Sequence, residues 1–189
     1  MSLNQPHTFE TIIVGGGQAG LSTSYYLGQL GREHVVFEQA ALPAHAWRNQ
    51  RWDSFTLVTP NWTIRLPGAA YQADQPDGFM PRQEIIAYFE DYIERFKLPV
   101  LNNTRVTSIE KNDAGYRVST LGEPYRAKNV VVATGSYQFG KIPPCGKDLS
   151  TSVRQLHASE YRNPESLPPG AVLVVDEKEH GWVSVLCGL

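Results

Sequence analysis

Thr11-Ile12-Ile13-Val14-Gly15-Gly16-Gly17-Gln18-Ala19-Gly20 is the stretch that decides the fold. A short β-branched run ends on three glycines, and from Gln18 the pattern turns helical, with Leu21, Tyr25 and Leu30 near one face and Gly31 as the C-terminal stop. His34 to Phe37 then reads as a second buried strand that ends at Glu38. A strand, helix, strand unit needs a right-handed crossover, which sets the two strands parallel. Gly15 to Gly20 is a GxGxxG turn between the first strand and the helix. Gly15 permits the tight turn, Gly17 lets a diphosphate approach the backbone, and Gly20 lets helix and strand pack closely. Amides at the helix N-terminus point at the phosphates. A lone GxGxxG is weak evidence, but here it has the required flanks and an acid at the end of the second strand, where a carboxylate accepts hydrogen bonds from ribose hydroxyls. Glu38 fits FAD or NAD and disfavours NADP, whose extra phosphate it would repel.

Outward from that unit, 189 residues with 41% apolar content suffice for one core, or for one domain plus a fragment of another. A net charge of -2 offers no basic footprint for nucleic acid or an anionic membrane surface, so a small-molecule ligand is expected. No apolar run approaches the roughly 18 residues that span a bilayer, and Met1 to Glu10 lacks a charged start followed by an apolar stretch. A soluble, cytoplasmic chain without a membrane partner is the expectation. Cys145 and Cys187 form no CxxC, which argues against a disulfide framework or a dithiol redox centre. His7, His34, His45, His157 and His180 show no paired ligand spacing, and no metal site is expected.

From Gln39 to Met80 the chain is long, Pro- and Trp-containing and aperiodic, as functional loops often are. An amphipathic helix follows, with Pro81 near N1, a stripe of Ile85, Ile86, Phe89, Tyr92, Ile93 and Phe96, and Pro99 beyond its end. Runs at Val100 to Leu101, Arg105 to Ile109, Tyr116 to Ser119 and Tyr125 to Ala127 predict a small antiparallel meander. Asn129 to Ala133 predicts a further apolar strand running into Thr134, Gly135 and Ser136. After Pro143, Pro144 and the connector Asn163 to Gly170, Ala171 to Val175 looks like the first strand of a second unit.

Beyond the glycine turn the chain resembles the flavin-containing monooxygenases from about Phe9 to Val175. Ala133-Thr134-Gly135, an apolar strand ending on small residues, is similar to the family's return beside the FAD phosphates, where backbone and cofactor touch. With Glu38, its neighbour Gln39 and the glycine turn, that resemblance implies FAD rather than NAD. Ala44-His45-Ala46-Trp47-Arg48 resembles a Gly-Gly-x-Trp-Arg element without its glycines, which implies Trp47 and Arg48 beside the flavin; a tryptophan packed in a loop core is the alternative. Leu57 to Trp62 looks like the Thr-x-Asn region near the reactive face of the flavin. The resemblance makes Asn61 the candidate catalytic amide, able to hydrogen-bond the reduced flavin's oxygen adduct or to orient the nicotinamide. An Asn capping a turn beside Pro60 is the alternative. Met80-Pro81-Arg82-Gln83-Glu84 is similar to the family's helix start beneath the site. Val106 stands where relatives read the FAD adenine through backbone groups, and His157-Ala158-Ser159-Glu160-Tyr161 resembles the second half of the monooxygenase fingerprint. Thr151 and Val153 replace the Phe and Gly of its first half.

The expected fold class is α/β: a Rossmann-type FAD-binding domain over 1–145, with a parallel sheet and a small antiparallel meander, a linker over 146–170, and an incomplete second unit over 171–189. In the resembled family that second unit holds NADPH on a glycine loop. Here the chain continues Asp176-Glu177-Lys178-Glu179-His180-Gly181-Trp182, placing carboxylates where phosphates would sit. Together with the end at Leu189, this leads us to expect FAD binding without an NADPH site, as a truncation or a frameshift would leave it. The implied chemistry is hydride transfer from NADPH to FAD followed by oxygen transfer to a small molecule. An unfinished second unit would leave strand edges uncovered, so self-association is also expected.

Overall fold

The computed structural model describes residues 7–135, 144–177 and 182–187. Strand β1 (Thr8–Val14) is buried over its last four residues, as a central strand must be. Helix α1 (Gln18–Gln29) turns back across the sheet and buries Gly20, Leu21 and Ser24. Gly31, at φ +64°, ends it in the left-handed conformation that glycine adopts without penalty. Leu30, expected on the buried face, is instead the C-cap residue and is exposed, because the helix stops one residue before it. Strand β2 (His34–Phe37) pairs parallel with β1, from Thr11 opposite His34 to Val14 opposite Phe37.

The aperiodic stretch is held by its apolar residues. It contains the short helix α2 (His45–Asn49), a 3-10 turn over Asn61–Thr63 and a small hairpin of β3 (Arg65–Leu66) and β4 (Ala69–Ala70). Helix α3 (Arg82–Phe96), with Pro81 at its N-cap, buries Ile85, Ile86, Phe89 and Tyr92. That stripe forms one core with Phe55, Leu57, Leu66 and Met80 of the stretch and Leu21 of α1. Burial of roughly 1.5–3 kcal/mol per large side chain is what orders a segment with little regular hydrogen bonding of its own.

Two expectations about the strands are corrected by their pairing. β5 (Val100–Leu101) does not join the meander but extends the parallel sheet beside β2, with Val36 opposite Val100. After β6 (Val106–Asn112) and β7 (Gly115–Thr120), the runs expected as two separate strands form one, β8 (Tyr125–Val132). Its first residues pair antiparallel with β7, and from Arg126 to Val132 it runs parallel to β1. The sheet order is β5-β2-β1-β8-β7-β6, parallel on one side and antiparallel on the other. Ile12, Val14, Val35 and Phe37 point to one face, where Val118 and Ala127 of the meander cover them. Ile13 points to the other, toward α1.

β9 (Arg154–His157), β10 (Val172–Glu177) and β11 (Trp182–Cys187) form a separate antiparallel sheet in the order β10-β11-β9. The strand read as opening a parallel second unit therefore pairs antiparallel with β11, leaving Val172, Leu173 and Val174 exposed. Ser136, Pro143 and residues 178–181 of the carboxylate-bearing run lie outside the described residues.

Candidate functional site

The C-terminal ends of β1, β2 and β8 meet at one edge of the sheet, on either side of the strand where the chain reverses its direction of winding. Open α/β sheets hold ligands at such a switch point. Val14 accepts from the Ala133 amide at 2.8 Å, and the Gly15 amide donates to the Phe37 carbonyl at 2.8 Å. Gly15, at φ +112°, has no room for a side chain: a Cβ there would stand 2.4 Å from the Ala133 carbonyl oxygen. Ala133 and Thr134 thus lie against the glycine turn, and Gly135, next along the chain, has φ +75°. A Cβ on Gly20 would fall 1.9 Å from the Gly15 carbonyl oxygen, so this glycine is required by helix packing. Gly17 is different. It caps α1 with an extended backbone, and among the described residues no atom other than those of its chain neighbours lies within 4 Å of a Cβ built on it. Protein packing does not demand a glycine there, and a bare backbone at a helix N-terminus is what close approach of a ligand would require. The donor set fits a dinucleotide diphosphate on that test.

Glu38 is buried beside the same turn, with its carboxylate accepting the Gly16 amide at 2.9 Å and the Ala40 amide at 2.9 Å. Gln39 follows it at the turn leaving β2. The Glu38 carbonyl accepts the Thr104 amide at 2.8 Å, two residues before Val106 at the start of β6. Val106 packs against the core that contains Phe37.

A cleft of about 270 Å³ opens next to the N-terminus of α1, lined by Gln18, Trp47, Leu57, Thr59, Thr63, Ile64, Leu66, Tyr88 and Phe89. Gln18 from the glycine turn and Trp47 from α2 thus share one wall system, although the sequence separates them widely. Trp47 also packs on the α3 core, with the Arg51 guanidinium 5.3 Å from its ring centre. Arg48 points elsewhere: its Nε donates to the Pro43 carbonyl at 2.9 Å and its guanidinium pairs with Glu90 of α3. The Tyr88 phenol donates to the Ala69 carbonyl and accepts from the Leu66 amide at 3.1 Å. Burial raises its pKa above the ordinary phenol value, against a smaller lowering by the Leu66 amide.

Asn61 is not on that cleft. It is buried at 3% exposure, donates through Nδ2 to the Gln75 carbonyl at 2.9 Å and accepts from the Met80 amide at 2.6 Å. Its amide clamps the loop over 75–80 and lines a second, wider pocket of about 460 Å³ with Tyr71, Asp74, Phe79 and Glu84. Its side chain does not cap the turn beside Pro60, whose cap carries no side-chain hydrogen bond; it bridges to a loop 14 to 19 residues further along the chain.

Among the described residues, no helix is long and apolar enough to cross a membrane, and no group of three or more His, Cys, Asp or Glu could hold a metal ion. A family model described as pyridine nucleotide-disulphide oxidoreductase matches residues 12–182. The chain belongs to this family. Within it, the relatives are flavin monooxygenase-like FAD-dependent oxidoreductases. The chain is 41% identical over 175 residues to the CzcO-like oxidoreductase of Geobacillus kaustophilus, covering 93% of this chain and 50% of that protein. It is 31% identical to a protein of Arabidopsis thaliana named probable indole-3-pyruvate monooxygenase YUCCA1, covering 87% and 40%. A flavin-containing monooxygenase from Stenotrophomonas maltophilia superposes with a TM-score of 0.75 at 27% identity, over 88% of this chain and 49% of that one. The chain spans about half the length of the curated relatives it matches. These 189 residues contain no CxxC, and the side chains of Cys145 and Cys187 lie outside the described residues.

Sequence reasoning missed the residues that tie the fingerprint-like segment of this family member to the Trp47 wall. Arg162 donates to the carbonyls of Arg51 and Asn49, and its own carbonyl accepts the Asp53 amide at 2.8 Å. Asp53 in turn receives Asn163 at 2.7 Å and Arg82 at 3.2 Å. His157 is buried, with Nδ1 2.8 Å from Ser159 Oγ. No local pattern announces such a hub, because its members lie far apart along the chain.

Proposed function

We propose that this chain is the FAD-binding half of a flavin monooxygenase-like oxidoreductase. The observation that carries the reading is Gly17: a glycine at a helix N-terminus, facing open space, at the junction where Glu38 and Ala133 to Gly135 converge. Gly15 to Gly20 would take the diphosphate, with Gln18 and Ala19 offering the first amides of α1. Glu38, with Gln39, would take the adenosine ribose, Val106 the adenine through its backbone, and Thr134 and Gly135 the far side of the diphosphate. Trp47 would wall the ring system in the cleft shared with Gln18, while Arg48 fixes α2 to α3 instead of touching the ligand. Bound there, flavin supplies two-electron redox chemistry and dioxygen activation. This chain's own residues bind, orient and keep water from one face. Asn61 acts on the cofactor only through the loop it clamps.

A second reading concerns this polypeptide by itself: it holds FAD but does not turn over with NADPH. The antiparallel pairing of β10 favours it, since a nicotinamide site of the expected kind needs a parallel strand opening onto a glycine loop. Flavin absorbance of the purified protein, quantified per chain, tests the first reading: stoichiometric FAD is expected, and a colourless protein that takes up no added FAD refutes it. NADPH-dependent bleaching under anaerobic conditions tests the second: none is expected, and rapid bleaching overturns it.

A further inference from the structure

Both oxygens of Glu38 are engaged by the chain itself. Oε2 accepts the Gly16 amide and Oε1 accepts the Ala40 amide, each at 2.9 Å, in a residue that is 8% exposed. Gly16 is shaped to this contact: a Cβ there would lie 2.9 Å from Oε2 and 3.2 Å from the Glu38 Cβ. The turn is therefore fastened to the end of β2 at two successive residues, Gly15 through the Phe37 carbonyl and Gly16 through the Glu38 side chain. An ionised carboxylate has about four acceptor positions. Two serve the protein, which leaves two for the neighbouring hydroxyls of a ribose.

We propose that Glu38 is a positioning residue for the glycine turn in addition to being a sugar acceptor. Its carboxylate holds Gly16 so that the amides leading into α1 already face the diphosphate, and binding does not have to order them. This rests on the dinucleotide reading above and goes beyond it, because the contact needs no sugar. The two functions separate by substitution. Aspartate keeps the charge but is one methylene shorter, so from the same backbone position it cannot span Gly16 and Ala40. Glutamine keeps the length but sets an NH₂ against one of two N–H donors.

The test titrates the full chain, as wild type, Glu38→Asp and Glu38→Gln, with ADP and with 2′,3′-dideoxy-ADP by calorimetry. Amide hydrogen exchange at Gly16 and Ala40 is followed without added nucleotide. If Glu38 acted only on the sugar, dideoxy-ADP would bind wild type and Glu38→Asp equally. The expected result is an affinity for dideoxy-ADP about tenfold lower in Glu38→Asp, the factor that one charge-assisted hydrogen bond corresponds to. Exchange at Gly16 should accelerate by about the same factor, while Ala40, two residues on from position 38, stays within reach of the shorter carboxylate. Equal affinities overturn the positioning role alone, whereas a wild type that binds no ADP overturns the dinucleotide reading and this proposal with it. Should Glu38→Asp fail to fold, Glu38→Gln decides. Its lost negative charge by itself would tighten diphosphate binding, so weaker dideoxy-ADP binding carries the sign of the lost clamp, and tighter binding overturns it.

Discussion

Replacing Gly17 by alanine should leave the stability of the fold nearly unchanged and weaken dinucleotide binding by one to two orders of magnitude. The backbone at Gly17, φ −87° and ψ −170°, is extended and open to any residue, and a Cβ there meets no described atom beyond its chain neighbours. Removing the glycine's freedom from the unfolded chain contributes about 0.4–1 kcal/mol of stability, and alanine, a poorer N-cap residue than glycine, gives back about the same amount at the start of α1. A ligand pressed against that backbone would be displaced by the added methyl group and would lose good geometry to the first amides of α1. At about 1.5–3 kcal/mol for a hydrogen bond to a charged group, the loss corresponds to roughly 10- to 150-fold in Kd. Gly20→Ala is the contrasting control, since its Cβ would fall 1.9 Å from a backbone oxygen and force α1 from β1. That change should cost at least about 1–3 kcal/mol. Urea unfolding measures the stabilities and quenching of flavin fluorescence on titration measures FAD affinity. If Gly17→Ala is destabilised by more than about 1 kcal/mol, or binds FAD as the wild type does, the argument from open space is wrong.

Asn61→Ala removes one acceptor and one donor from the loop over 75–80 and leaves the Met80 amide and the Gln75 carbonyl without this partner. The unfolding free energy should fall by about 2–3 kcal/mol, and an unchanged urea midpoint would refute the clamp. Burial lifts the Tyr88 phenol above 10.0, so the folded chain retains a proton that the unfolded chain releases first. Its contribution to stability is therefore complete below about pH 10 and is lost as pH rises from there through the higher folded-state value. Urea midpoints taken across that alkaline range should fall less steeply in Tyr88→Phe than in the wild type; parallel curves would contradict the assignment.

The glycine turn, the crossover unit, the stripe of α3 and the first two strands of the meander, β6 and β7, were legible because each rests on neighbours in sequence: a period of 2 or 3.6, or a backbone that only glycine adopts. Glu38 could be named for the same reason, as an acid at a strand end after the glycine turn, whereas Ala133 to Gly135 were named through the family resemblance. Pairing decided the rest. A two-residue run such as Val100–Leu101 carries no signal for which neighbour it takes, and the boundary drawn inside β8 vanished because one strand satisfied β7 and β1 at once. Asn61 reads locally as a polar residue beside Pro60, and its role is set by Gln75 and Met80, which only the folded loop brings to it. The double engagement of Glu38, the meeting of Gln18 with Trp47 and the hub at Asp53 are likewise tertiary, since hydrogen bonding and close packing act over a few ångströms in space whatever the separation along the chain.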